Sequence, residues 1–357
     1  MELKYLFLHF VFVVVPGALY DDNFRKEVEE AKDFVYHSAS EDFLARVNVV
    51  SQHLDELVLK ATSLLPSKVS TGEIAREFGK LLNEQGESIY STGVAFGWLN
   101  RLIDCSPIGL DNDLPYHARV GLSTHAGYSN VEERFLLLDA FYLLELANYC
   151  NEKMLAMASQ FSPKGLADRK DYLTVSVANQ NVGSAARLCV FSFYAFVEAF
   201  VNSIGNDFAT KNLPNLTPNE VEILHGTREQ RYLSLEQKIK FFPRIMRKDK
   251  ASPIVLIDKK QHKDPFLTFF SAIKEVRDAS THFGVGKACI WRIPQEWLTF
   301  AESTSQNSVE VASAFWEACY PRQSKPGYLL GLNYDALREA AKTRLDTTRQ
   351  IVSLRRE

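Results

Sequence analysis

The run GSAARLCVFSFYAFVEAFVNSIGNDF, residues 183–208, constrains this chain more than any other stretch. Phe191, Phe193, Tyr194, Phe196 and Phe200 follow one another with no glycine or proline between them. A helix this long and this apolar around its circumference has to be buried on most sides. Other helices must therefore surround it. Two polar residues interrupt it: Glu198 and Asn202 stand one turn apart in its centre, on one face.

The rest of the chain supplies the neighbours. Residues 21–65 read as helix, with Phe24, Val28, Ala31 and Val35 at helical spacing, Asp21 or Asp22 as N-cap and Pro66 at the end. Residues 70–103 form a second helical region, capped by Ser70 or Thr71 with Glu73 at capping-box distance. After a loop over 104–130, residues 131–161 return to strong helix. Thr217, Pro218 and Glu220 mark another helix start, and 233–250 is a helix ended or kinked by Pro243. Residues 264–284 follow, with Asp264 as N-cap, Pro265 at the first helical position and Gly284 as the stop. Helical stretches near 308–319 and over 333–357 complete the pattern.

Two stretches read as extended. YLTVSVA (172–178) alternates in polarity, and YLFLHFVFVVVPGALY (5–20) is a β-branched run closed by Pro-Gly, which reads as a short buried strand. The second has another reading, the apolar core of a signal peptide cleaved near Val15–Ala18, which would make the protein secreted. It is too short to span a bilayer, which needs about 20 residues. The expected class is mostly α. Residues 1–180 form a helical region of unassigned role and residues 181–357 a helical bundle, joined around 162–182.

Net charge is −3 with 24% charged residues, so a protein that coats nucleic acid with its whole surface is excluded. A local basic face remains: nine lysines and arginines fall between Lys238 and Lys263. The five cysteines are scattered without metal-ligand spacing, so the sequence indicates no metal, no cofactor and no disulfide framework. Such usage fits a reducing cytoplasm. Phosphate-binding loops, dinucleotide fingerprints, zinc-protease and serine-hydrolase motifs are all missing.

What is left is EVRDASTHFG, residues 275–284. Asp278 and His282 lie at i and i+4 and share a helix face, while Arg277 sits about 140° round from His282. Gly284 puts His282 in the last turn, where the helix dipole favours imidazolium. An imidazole beside a guanidinium suits metal-free RNA cleavage, which needs proton transfer and a cation for the phosphorane. One histidine cannot do both proton transfers in a single step, but a two-fold dimer presents two. Arg119 and His125 form a looser match, with valine after the arginine and glycine in the spacer. We read that copy as loop.

The Arg277-Asp278-(x)3-His282 pattern at a helix end, after YAFVEAFVNSIG (194–205) and LSLEQKIKFFPRI (233–245), resembles the HEPN superfamily (higher eukaryotes and prokaryotes nucleotide-binding). The resemblance covers roughly 180–355. It implies a helical bundle and a metal-independent endoribonuclease of toxin, stress or antiviral systems. Arg277 and His282 would be catalytic with Asp278, at a homodimer interface, and Glu198 and Asn202 would support them. RNA would meet Lys238, Lys240, Arg244, Arg247 and Lys248, and an antitoxin or regulatory protein is an expected partner. Asp278 and the small polar spacer Ala279, Ser280 and Thr281 depart from the usual pattern. The alternative is a non-catalytic helical module for oligomerisation or for binding a nucleotide or partner.

Overall fold

The computed structural model describes residues 1–15, 22–108, 114–121, 129–160, 169–254, 263–281, 292–326, 329 and 334–354. The chain is mostly helical and its described strands are two residues long. It divides into two compact units, Met1–Val131 and Glu132–Glu357.

In the first unit, α1 (Glu2–Val14) is packed by α2 (Asp22–His37), α3 (Ser40–Leu64) and α4 (Thr71–Gln85). The strand expected over 5–20 is therefore a helix as far as Val14. Tyr5, Phe7, Leu8, Phe10, Val11, Val13 and Val14 are all buried, spread over most of its circumference. A helix satisfies its own backbone hydrogen bonds, so such a run buries without a strand partner, and its β-branched content is overridden. Pro16–Ala18, in the expected cleavage site, lie outside the described residues. The single helix expected over 21–65 is two, separated where Ala39 turns extended. Ser70 caps α4, accepting from the Glu73 N–H at 3.3 Å. A small antiparallel sheet joins β1 (Val94–Ala95), β2 (Arg119–Val120) and β3 (Ser129–Asn130). Arg119 donates to the Thr92 carbonyl at 3.1 Å and the Thr92 hydroxyl at 3.2 Å, so it holds the backbone. His125 lies outside the described residues.

The second unit is built on α5 (Glu132–Ala158) and α6 (Arg169–Asn212). The stretch 172–178, expected as a strand, is the second turn of α6 and beyond. The boundary expected at 180/181 falls inside this unbroken helix. An apolar window of α6, mean hydropathy 1.5, is long enough to cross a membrane, but 56% of it is buried inside the fold. The helix is a core element. Around it lie α7 (Pro218–Leu224), α8 (Leu235–Met246), α9 (Lys274–Thr281) and α10 (Pro294–Cys319), while α11 (Tyr334–Leu354) covers α5. Phe141, Phe193, Phe196, Phe200, Phe242, Phe269 and Phe315 fill the centre.

Two features place the polar site. Thr217 and Glu220 form the capping box expected for α7. Gly205 lets α7 and α8 lie against α6: a Cβ there would stand 2.4 Å from the Phe242 ring and 2.6 Å from the Leu224 carbonyl. Pro243 neither ends nor bounds α8, which runs on to Met246.

Candidate functional site

Tyr194, Glu198 and Asn202 recur every four residues on α6, so they form one stripe with a rise of about 6 Å per step. Helix α9 brings Arg277 to the upper end of that stripe. The helix is preceded by a π-helical segment, Phe269–Ile273, the kind of one-residue widening that recurs at functional sites. Phe269 stacks on Tyr194, rings 5.4 Å apart and 9° from parallel. The Arg277 guanidinium lies over the same tyrosine, 4.7 Å from its ring centre. It also reaches Glu198 at 3.7 Å and Asp278 at 2.8 Å.

Asp278 is shared between Arg277 and Lys274, whose ammonium is 3.3 Å away one turn back. Burial pushes the Asp278 carboxyl up, but its hydrogen bond to Arg277 and the charge of Lys274 outweigh that and hold it low. The Tyr194 phenol is pushed up to about 12, chiefly by burial and then by Glu198. It is not a base at neutral pH. His282 and Gly284 lie outside the described residues, so the expected pairing of Asp278 with His282 is not placed.

At the lower end of the stripe, Lys238 of α8 donates to the Asn202 side-chain carbonyl at 2.8 Å. Only 8% of Lys238 is exposed. Its burial lowers the ammonium pKa, opposed by the charge of Glu198. Glu198 thus stands between two cations, one from each flanking helix. With Lys274 included, three cations face two carboxylates, a balance that leaves the site net positive and suited to an anion.

The basic segment expected to meet RNA as one face is divided by the helical period. Lys238 turns inward beside Leu235, Ile239 and Phe242, whereas Lys240 and Arg244 are exposed on the other side of α8. Arg247 is committed elsewhere: it pairs with Asp249 at 2.8 Å and donates to the Ala318 carbonyl at 3.2 Å. Lys248 is exposed beyond the end of the helix.

Two parts of the site were not read from sequence. One is Tyr194, which looks like one more core aromatic but precedes Glu198 by one turn. The other is the hairpin of β4 (Thr227–Arg228) and β5 (Arg231–Tyr232), with Glu229 and Gln230 as its turn at φ +52° and +64°. Two-residue hairpin turns of this kind usually carry Asn-Gly, and Glu-Gln gives no such signal. The hairpin is rooted at Gly226, φ +83°, where a Cβ would lie 3.0 Å from the Lys238 stem.

Among the described residues no group of three His, Cys, Asp or Glu side chains is placed to hold a metal ion. Chemically, the arrangement is a helical bundle carrying a guanidinium and an ammonium on either side of one carboxylate. No protein-family profile matches the chain, and no curated protein or solved structure matches it.

Proposed function

We propose that the protein is a metal-independent endoribonuclease of HEPN type, acting as a homodimer in the cytoplasm. The observation that carries the reading is the approach of Arg277 to Glu198 across 3.7 Å. It joins the signature arginine to the acidic residue of the preceding long helix, the conjunction the sequence resemblance implies.

In this reading His282 takes the proton of the substrate 2′-hydroxyl, whose oxygen attacks the adjacent phosphorus. The bond to the 5′ oxygen breaks, and the His282 of the other subunit gives that oxygen its proton. The products are a 2′,3′-cyclic phosphate and a 5′-hydroxyl. Arg277 stabilises the charge that builds on the phosphorane, the kind of preorganised cation that contributes most in such steps. Glu198 and Asp278 hold the guanidinium in place, and an incoming phosphate competes with them for it. The expected setting is RNA restriction in a toxin, stress or antiviral system, with an antitoxin or regulator as partner.

The test is cleavage of a mixed RNA pool in EDTA by the wild type and by His282→Ala, with dimer mass followed by light scattering. The reading expects cleavage lost and the dimer kept. Cleavage that persists in His282→Ala removes the mechanism.

A second reading has its own observation. Arg277 is engaged by Asp278, Glu198 and Tyr194 together, as a structural arginine would be. A non-catalytic module is favoured if no RNA is cleaved and Arg277→Ala lowers thermal stability without changing partner binding.

A further inference from the structure

Beyond Lys238 the polar stripe does not end. Lys238 lies against Gly226, and the next residue, Thr227, pairs in register with Tyr232, while Arg228 pairs with Arg231. The stripe therefore continues, within the same unit, into the hairpin that projects from the end of α7. Leu233 fixes the hairpin root by donating to the Gly226 carbonyl at 2.9 Å, and Leu233 itself is buried. Glu222 fixes the tip: its carboxylate accepts from the Gln230 N–H at 3.2 Å, and its carbonyl accepts from the Thr227 hydroxyl at 3.3 Å.

The hairpin thus has a held backbone and outward-facing side chains. Tyr232 is 91% exposed, more than any other large hydrophobic side chain among the described residues. Tyr232 pairs with Thr227 and shares its face of the ribbon, while Arg228 and Arg231 project from the other face. A ring left in water there has lost contact area that a core position would give it. Arg228 and Arg231, both exposed, are opposite one another across the two strands. Arg228 has a long contact of 3.7 Å to Glu229, and among the described residues no ion pair is found for Arg231. The two turn residues sit in the left-handed region without being glycine, a conformation kept where the surrounding structure imposes it.

We infer that the hairpin Thr227–Tyr232 is a binding element for single-stranded RNA, with Tyr232 stacking on an unpaired base from one face of the narrow ribbon and the long side chains of Arg228 and Arg231 reaching phosphates farther along the strand from the other. Lys238 and Asn202 connect this element to Arg277. The inference takes the ligand class from the ribonuclease reading but does not depend on cleavage.

The chemistry favours RNA over other ligands. Every base has a π face, so one exposed ring grips single strands without sequence preference, and cations elsewhere on the same element track the backbone. Duplex RNA keeps its bases stacked and offers Tyr232 no face. At the Arg277 end, by contrast, both Phe269 and Arg277 already lie against Tyr194, so that ring is not offered as a second platform.

The experiment measures binding of a fluorescein-labelled 2′-O-methyl oligouridine to the full chain by anisotropy across a salt series. That probe lacks the 2′-hydroxyl nucleophile, so binding is read without cleavage. Tyr232→Ala is expected to weaken binding about tenfold, which corresponds to about 1.4 kcal/mol, and Tyr232→Phe to restore it. Arg231→Ala is expected to flatten the slope of log affinity against log salt by about one. Affinity and slope unchanged in both alanine variants overturn the inference. So does a Tyr232→Ala protein that loses its dimer mass while keeping its RNA affinity, since the patch is then a protein interface. A wild type that cuts no RNA, yet binds the probe through Tyr232, upholds the hairpin and removes the nuclease. Cleavage abolished by His282→Ala, with binding indifferent to Tyr232 and Arg231, does the reverse.

Discussion

Lys238 reaches from α8 to within 2.8 Å of Asn202 on α6, with its stem buried against the hairpin root. A lysine held there joins the polar stripe that starts at Arg277 to the hairpin beyond it. That geometry depends on close approach between helices, and close approach can be tested.

Gly205→Ala puts a methyl group 2.4 Å from the Phe242 ring and 2.6 Å from the Leu224 carbonyl. The helices have to move apart, at a cost of about 1–3 kcal/mol. A lower urea midpoint is expected from equilibrium unfolding. Phe242→Leu added to Gly205→Ala relieves the ring contact alone, so the double variant recovers part of the loss. No change in the single variant would mean that α8 does not sit as close as described.

Glu145 of α5 is 3% exposed and is paired with Arg338 of α11. Arg338→Ala strands that carboxylate, and a loss of about 2–3 kcal/mol is expected, at the low end for a buried pair because the arginine is partly solvated. Glu145→Leu combined with Arg338→Ala removes the uncompensated charge and is expected to be more stable than Arg338→Ala alone. Thermal melts of the three variants check the order.

Arg247 and Asp249 give a pH signature. The hydrogen bond from Arg247, then that from the Ala251 N–H, holds the Asp249 carboxyl at about 2 against an ordinary 3.8. A carboxyl lowered in the folded state stabilises the fold above its unfolded pKa and loses that contribution as pH falls through the folded value. The stability difference between wild type and Asp249→Asn is therefore constant above about pH 4 and fades between about pH 4 and pH 2. The effect is small because the Asp249 carboxylate is exposed. A difference that grows on acidification would contradict the pairing.

Much of the fold was legible because local signals and burial agreed. The α7 cap at Thr217 and Glu220, the α4 cap at Ser70, and the aromatic run of α6 all lie where sequence puts them. The α1 segment failed because residues apolar on nearly every side erase the helical period, leaving only the β preference of Val11, Val13, Val14 and Val15. The extended reading of 172–178 failed for a related reason: its alternation occurs within a helix whose Tyr172, Leu173 and Val177 are exposed.

For the site, Arg277 and Asp278 were readable as candidates from their pattern at a helix end, and Glu198 and Asn202 from the resemblance alone. The inward turn of Lys238 was also there to be read. It falls three residues after Leu235 and four before Phe242, inside the apolar face of α8. Treating the basic segment as one charged face hid it. The hairpin carried no turn signature at Glu229 and Gln230, so only tertiary structure exposes Tyr232. Nothing in the residue pattern distinguishes Asp278 paired with Lys274 from Asp278 paired with His282, since both lie one turn away.

The most direct measurement of the central claim is end-group analysis of RNA incubated with the protein in EDTA. The account predicts 2′,3′-cyclic phosphate and 5′-hydroxyl ends from the wild type and none from Arg277→Ala, the variant protein remaining folded. Ends bearing 5′-phosphate, cleavage that needs an added divalent metal, or unchanged cleavage by Arg277→Ala would contradict it.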